Sequence, residues 1–128
     1  MPRVFKPVDI SQEEKELMKD YFDRHTPFIF CDDTVKKGEK IKVKVSMGDE
    51  YKHPDDYDHY ISTIQLWNRE TLMTQVHFTP GAFGNQPTHV EVDFYVAANV
   101  SMNLTAMAVC TKHGLWQSEE KYVKVTQD

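Results

Sequence analysis

The sequence predicts an all-β fold, a seven-stranded antiparallel β-sandwich of immunoglobulin-like type with a short N-terminal helix. Short segments of alternating apolar and polar residues recur along the chain, and turn-forming residues separate them, which is typical of such sandwiches. The length of 128 residues, 40% of them hydrophobic, suits a single domain with one core of modest size. Within it we expect residues 1–22 to form an arm and the helix, and residues 23–128 to form the sandwich.

The N-terminal helix is predicted over about residues 12–22. Ser11 and Glu14 form the S-x-x-E capping-box pattern that begins many helices. The helix is expected to end in the segment 23–27, because the residue before a proline avoids the helical conformation. We expect it to pack on the rest of the domain through one apolar face. That face consists of Leu17, Met18, Tyr21 and Phe22.

The clearest strand is the segment 39–47, in which apolar residues alternate with lysines. This pattern places Ile41, Val43 and Val45 on a buried face and the lysines on a solvated face. Residues 32–38 are expected to form a polar turn. The other strands are predicted at 28–31, 60–67, 71–79, 89–97, 104–110 and 122–125.

Composition excludes several other classes of protein. No apolar run approaches the ~18 residues of a membrane-spanning helix, and the first ten residues lack a secretion-signal pattern. We therefore expect a cytoplasmic protein with no membrane partner, and the net charge of −5 argues against a nucleic-acid partner. The two cysteines, Cys31 and Cys110, are expected to be reduced. Because they form no C-x-x-C pair, a zinc ribbon or a four-cysteine site is disfavoured.

The segment 110–116, with the sequence C-T-K-H-G-L-W, carries the strongest chemical signal. A thiol at Cys110 and an imidazole at His113 can face one metal ion on a tight turn, and Gly114 permits the backbone angles that the turn needs. Thiolate is a soft ligand and imidazole a borderline one, which favours a transition metal. The same pattern is compatible with a buried free cysteine near a loop histidine.

Three further histidines lie in predicted loops or at strand starts, where they can converge at one end of a sandwich. They are His25, His53 and His59. With the C-x-x-H turn they provide four imidazoles and one thiol. The remaining histidines, His77 and His89, fall inside strand patterns and are interpreted as surface or packing residues.

Five protein ligands exceed the four of a structural zinc site. They also differ from blue copper, which uses two histidines, one cysteine and a weak axial methionine, and no methionine follows His113. On an octahedral ion such as iron, five ligands leave one position open for a small molecule. Two other classes remain open: a cupredoxin-like electron-transfer sandwich, and a non-catalytic interaction module with incidental histidines.

These residues resemble three motifs of the superoxide reductases, or neelaredoxins, which are similar to the iron-site domain of desulfoferrodoxins. Residues 110–116 resemble the family's C-x-x-H-G-L-W motif. His53 with Pro54, followed by His59, resembles H-P-x-x-x-E-H-H-I, and residues 23–27 resemble E-K-H-V-P. The resemblance covers roughly residues 22–125 and implies the one-iron class with a seven-stranded sandwich.

The resemblance implies one iron ion per chain, cycling between Fe²⁺ and Fe³⁺, with four equatorial imidazoles and an axial thiolate. The implied ligands are His25, His53, His59, His113 and Cys110. It further implies that His113 binds through Nδ1 and the other three imidazoles through Nε2. The implied enzyme is an oxidoreductase that reduces superoxide to hydrogen peroxide and thereby detoxifies it. An external donor such as rubredoxin would re-reduce the iron, and the implied assembly is a homo-oligomer, a tetramer or a dimer.

Two departures from the family pattern lie beside the first implied ligand. Asp23 stands where the family has a glutamate that can close over ferric iron, and Arg24 stands where it has a lysine that draws superoxide in. The resemblance thus assigns catalytic roles to both. Because Asp23 is one methylene shorter, we expect its carboxylate to stop short of the iron. Arg24 keeps the positive charge and is expected to speed superoxide capture.

Overall fold

A computed structural model describes residues 17–127. In this range the chain forms one helix and nine strands. They are α1 (Lys19–His25), β1 (Pro27–Phe30), β2 (Thr34–Lys36), β3 (Lys40–Met47), β4 (Ile61–Asn68), β5 (Thr71–His77), β6 (Glu91–Ala97), β7 (Met102–Cys110), β8 (Gly114–Gln117) and β9 (Lys121–Thr126). Seven of the strands are those that the alternating patterns predict. The predicted all-β sandwich with a short helix is therefore confirmed.

The strands form two sheets. One has the order β1-β3-β6, and the other has the order β2-β9-β7-β4-β5, with β8 paired to β7. In the second sheet β7 is central: β4 lies along one edge, and β9 and β8 share the other edge end to end. Each of the strand pairs between residues 17 and 127 is antiparallel except β2 with β9, which is parallel.

The hydrophobic core lies between the inner faces of the two sheets. On β3, Ile41, Val43 and Val45 are buried while Lys40 and Lys42 are exposed, as the alternation predicts. The second sheet contributes buried residues that share a face on its central strands: Ile64, Leu66, Leu104, Ala106 and Ala108. Each fully buried aliphatic side chain of this kind contributes about 1.5–3 kcal/mol through the hydrophobic effect.

Two short strands were not predicted. The strand β2 lies in the segment expected to be a polar turn, where Val35 packs against the core and pairs with Val125 of β9. One apolar residue among charged neighbours shows no alternation, so the sequence pattern missed it. The strand β8 is the return strand of the C-x-x-H turn, and it pairs Trp116 with Ala108 of β7.

The helix ends later than predicted. It continues to His25, and Thr26 is the first extended residue, with φ −88° and ψ 123°. Pro27 restricts only its immediate predecessor, so residues 23–25 remain helical. On the predicted apolar face, residues 21 and 22 are half-buried, whereas Leu17 and Met18 are exposed, which corrects the prediction for those two.

The start of the predicted helix, with its capping box at Ser11 and Glu14, lies outside the described residues. The proposed boundary between residues 22 and 23 falls within α1. It stays a prediction.

Both cysteines are free thiols. Cys110 is buried at the end of β7, and Cys31 is half-buried after β1, where burial raises the pKa of its thiol. Between residues 17 and 127, no helix combines the length and the apolar character needed to cross a membrane.

Candidate metal centre

Three parts of the chain meet at one end of the sandwich. The helix α1 ends with His25, and the loop between β3 and β4 carries His53 and His59. The strand β7 ends with Cys110, and the turn into β8 carries His113. All five residues that the sequence singled out as candidate ligands are thus brought together.

Their potential ligand atoms surround a common point. The ligand atoms of His25, His53, His59 and Cys110 all lie within 4.8 Å of one another. His113 Nδ1 lies 3.1 Å from His25 Nε2 and 3.7 Å from Cys110 Sγ. The set therefore presents four nitrogens and one sulfur to a single small volume.

The four imidazole rings form a closed square. Ring centroids are 4.9 Å apart for His25 and His53, and 4.9 Å apart for His53 and His59. They are 5.0 Å apart for His59 and His113, and 4.8 Å apart for His113 and His25. Neighbouring rings are nearly perpendicular, at 73–85°, whereas His25 and His59 face each other across 6.3 Å at 18°. We call this arrangement the histidine square.

Backbone carbonyl groups orient two members of the histidine square. His25 Nδ1 lies 2.6 Å from the carbonyl oxygen of Tyr21, and His53 Nδ1 lies 2.7 Å from that of Pro54. A carbonyl oxygen only accepts, so Nδ1 carries the proton in both rings and Nε2 keeps its lone pair. This supports ligation through Nε2 for these two residues, while His113 turns Nδ1 toward the others.

Two buried imidazole nitrogens lack a hydrogen-bond partner, and coordination to a metal ion would explain both. Across residues 17–127, His53 Nε2 and His59 Nε2 are the buried side-chain nitrogen or oxygen atoms that lack a hydrogen-bond partner. An unsatisfied buried polar group costs about 1–3 kcal/mol. Coordination to an ion removes that cost, and a set of four imidazoles and one thiolate suits a transition metal. The residues present therefore fit a metal ion.

Burial keeps three of the four imidazoles in the form that binds metal. Loss of hydration is the main cause that lowers the pKa of His25, of His59 and of His53, and it brings the pKa of His53 to about 4. The carbonyl contacts of His25 and His53 act in the opposite direction and do not outweigh it. These rings are thus neutral near pH 7, as metal binding requires.

Comparison with known proteins identifies the family. The family model described as Desulfoferrodoxin matches residues 12–119. This chain belongs to the desulfoferrodoxin family. The resemblance inferred from the three motifs is confirmed.

Known family members are similar to this chain over most of the length of both proteins. The superoxide reductase of Thermococcus kodakarensis is 31% identical over 103 residues, covering 76% of this chain and 85% of that protein. The neelaredoxin of Megalodesulfovibrio gigas is 28% identical over 112 residues, covering 77% and 85%. A solved structure of a superoxide reductase (neelaredoxin) variant from Ignicoccus hospitalis has a TM-score of 0.71 at 29% identity, covering 88% and 89%.

Backbone pairing positions the loop histidines of this family member. His53 exchanges two hydrogen bonds with Thr88, at 2.9 and 3.0 Å, and His59 exchanges two with Asp56, at 2.9 and 3.1 Å. Thr111 donates its N–H to the carbonyl of Tyr60 at 3.0 Å. Its hydroxyl accepts the Tyr60 N–H at 3.2 Å. The C-x-x-H turn is thereby tied to the residue after His59.

Trp116 is a site residue to which the sequence analysis gave no role. Its ring stacks on that of His25, with centroids 5.0 Å apart at 23°, and its Nε1 donates to the carbonyl of His113 at 3.1 Å. Tyr21 completes this contact, with its ring 5.5 Å from Trp116 and 5.2 Å from His113. The only sequence signal was the place of Trp116 in the C-x-x-H-G-L-W motif.

Asp55 was also missed. Its carboxylate is buried and accepts the backbone N–H of Phe83 at 2.9 Å and of Asn85 at 3.2 Å. This ties the loop that carries His53 to the loop after β5. No alternation or motif marks Asp55 in the sequence.

Asp23 and Arg24 both have partners in the structure. The Asp23 carboxylate accepts backbone N–H groups of residues 49–51. The Arg24 guanidinium pairs with the Asp20 carboxylate at 3.1 Å and is half-buried. Its charge is one of the causes that lower the pKa of His25 and of His53. The catalytic roles of Asp23 and Arg24 stay predictions.

The sequence analysis interpreted the two remaining histidines as surface or packing residues. His77 is exposed, with Nδ1 3.2 Å from the hydroxyl of Thr63. His89 is half-buried, and its Nδ1 lies 3.0 Å from the carbonyl oxygen of Met47.

Proposed function

We propose that this chain is a superoxide reductase, an oxidoreductase that converts superoxide to hydrogen peroxide at one mononuclear iron per chain. The ligands are His25, His53, His59, His113 and Cys110. One observation carries the proposal: the histidine square closes beside a buried thiol and leaves two buried Nε2 atoms without partners. The relatives named superoxide reductase and neelaredoxin support it.

The reaction combines superoxide with one electron and two protons to give hydrogen peroxide. Bound iron would supply the electron as it passes from Fe²⁺ to Fe³⁺. The chain supplies the soft Cys110 sulfur from a buried position at the end of β7. His113 and Lys112 are exposed, so this side of the square is open to solvent. Arg24, beside His25 in the chain, supplies local positive charge that steers an anion despite the net charge of −5.

A copper electron-transfer site of cupredoxin type is less well supported. Such a site holds its ion with two imidazoles, one thiolate and a weak axial ligand. Here four imidazoles surround one volume, and each has a neighbour at nearly equal ring spacing. The additional imidazoles favour an ion of higher coordination number.

We extend the proposal to the partners and the location of the protein. A rubredoxin-like donor re-reduces the iron, and the chain forms a homo-oligomer, a tetramer or a dimer. The exposed Leu115, next to the histidine square, offers an apolar contact for a donor. The two free thiols suit the reducing cytoplasm. Turnover with reduced rubredoxin tests the donor, and the mass of the protein in solution tests the oligomer. Cell fractionation tests the cytoplasmic location.

The activity is tested by mixing the ferrous protein with superoxide. We expect one iron to be oxidised for each superoxide consumed, with peroxide formed and no matching oxygen evolution. Sustained turnover is expected only with an added reductant. His77→Ala, which removes a histidine outside the square, serves as the control and should behave as the unmodified protein. Efficient turnover without a reductant would indicate a dismutase and contradict the proposal.

A further inference from the structure

The Asp23 carboxylate is held by three successive backbone N–H groups. Asp49 donates to both carboxylate oxygens, at 3.1 and 3.2 Å, Glu50 donates to Oδ2 at 3.1 Å, and Tyr51 donates to Oδ2 at 2.8 Å. Successive N–H groups aimed at one point form an anion-binding concavity. Hydrogen bonds to a charged acceptor are about twice as strong as neutral ones.

The turn that presents these N–H groups depends on Gly48. Its φ is +76°, and a Cβ at this position would overlap the carbonyl oxygen of Tyr51 and reach 3.4 Å from Asp23 Oδ2. The Gly48 N–H donates to the carbonyl of Thr26 at 2.9 Å. Hydrogen bonds therefore connect the end of α1 to the loop after β3 in two places, one through the backbone and one through the Asp23 side chain.

The contact between Asp23 and the loop lies close in sequence to two of the proposed metal ligands. Asp23 lies two residues before His25, and Tyr51 lies two residues before His53. The Asp23 carboxylate therefore joins the two segments that carry neighbouring members of the histidine square, whose ring centroids are 4.9 Å apart.

We propose that Asp23 is a positioning residue, which sets the separation of His25 and His53 by holding α1 to the loop 48–51. The proposal rests on the proposed function, because it assigns those two histidines to the iron. Both oxygens of the carboxylate are engaged in the loop. Turning toward the iron would leave the N–H groups of Asp49, Glu50 and Tyr51 without their acceptor. Asp23 therefore stays on the loop and is not an iron ligand, unlike the glutamate of the family motif.

The test measures metal affinity rather than activity. Asp23→Asn keeps the size of the side chain but replaces a charged acceptor with an amide, and Asp23→Ala removes it. Cobalt(II) is titrated into the full chain after its metal has been removed by a chelator. We expect both variants to bind cobalt at least about tenfold more weakly, because loss of a group that orients metal ligands costs roughly 10–100-fold. Asp23→Glu restores the carboxylate and should recover part of the affinity.

Asn68→Ala is the matched control for a merely structural effect. It removes another side-chain acceptor of a backbone N–H, that of Asn103 at 3.1 Å, at the far end of β4 from Cys110. We expect it to lower the melting temperature without changing cobalt affinity. Hydrogen exchange at amides 49–51 should become faster in Asp23→Asn and stay unchanged in Asn68→Ala.

Two results would overturn the positioning role. One is unchanged cobalt affinity in both Asp23→Asn and Asp23→Ala, and the other is an equal loss of affinity in Asn68→Ala. Cobalt binding involves no superoxide. A chain that binds cobalt as expected but does not reduce superoxide would therefore contradict the proposed function and leave the role of Asp23 intact.

Discussion

At the scale of single residues, Arg24 is the cation expected to speed the arrival of superoxide. Arg24 is held by Asp20 four residues earlier in α1, at 3.1 Å. A surface pair at this spacing contributes only about 0.3–0.5 kcal/mol. We expect so weak a pair to let an approaching anion compete with Asp20 for the guanidinium.

We predict that Arg24→Ala slows the bimolecular reaction of the ferrous protein with superoxide by about threefold or more at low salt. The difference should shrink above 0.1 M salt, where the screening length falls to about 10 Å. Arg24→Lys should retain most of the rate, and Lys42→Ala, on the exposed face of β3, is the control. In Asp23→Ala, the rate per bound iron should stay nearly unchanged. An unchanged rate in Arg24→Ala at low salt would point to Lys112 instead.

The candidate ligands could be predicted from the sequence because each lies in a short motif with fixed spacing. The role of Asp23 could not, because it depends on where the N–H groups of residues 49–51 point. That direction is set by the left-handed turn at Gly48 and by no pattern near residue 23. The roles of Trp116 and Asp55 were missed because the ring on which Trp116 stacks, that of His25, and the N–H donors to Asp55 are distant in sequence.

At the scale of elements, the turn after β3 links the sandwich to α1, and its glycine can be tested against a matched one. Gly48 and Gly38 both have positive φ, at +76° and +86°. A Cβ at Gly38 would meet nothing within 4 Å, whereas at Gly48 it would overlap backbone atoms of the loop. An alanine would therefore be conformationally strained at either position. Only at Gly38 would its Cβ have space.

We predict that Gly38→Ala costs about 1–2 kcal/mol of unfolding free energy, the cost of a left-handed alanine. Gly48→Ala should cost clearly more, because the loop must also move. Of the two variants, only Gly48→Ala should weaken cobalt binding, because the displaced loop carries His53. Denaturant unfolding and cobalt titration measure the two effects. Equal losses of stability and unchanged cobalt affinity in the two variants would contradict this account.

The elements themselves were predicted to different degrees. The strand β3 has one buried and one exposed face, so its alternation is explicit in the sequence. The strand β2 has three residues and only Val35 on its half-buried side, so no period is visible. The end of α1 was placed too early, because the effect of Pro27 reaches Thr26 and no further.

At the scale of the whole molecule, the candidate metal centre lies at one end of the two-sheet sandwich. The candidate ligands come from three parts of the chain, and His25 and His113 are 88 residues apart. The pairing order β2-β9-β7-β4-β5 brings these parts together by placing Cys110 next to Ile61, two residues after His59. Strand patterns predicted a sandwich but not this order, because alternation indicates which face is buried and not which strands are neighbours.

The claim that the histidine square and Cys110 hold one iron is tested most directly by the visible spectrum and metal content of Cys110→Ser. Cys31→Ser, which removes the other free thiol, is the matched control. After iron-replete expression, the unmodified protein should contain about one iron per chain and show a sulfur-to-iron charge-transfer band when oxidised. Cys31→Ser should keep that band and Cys110→Ser should lose it, because the thiolate of Cys110 is its source. A band that persists in Cys110→Ser, or purified protein that carries zinc or copper and no iron, would contradict the account.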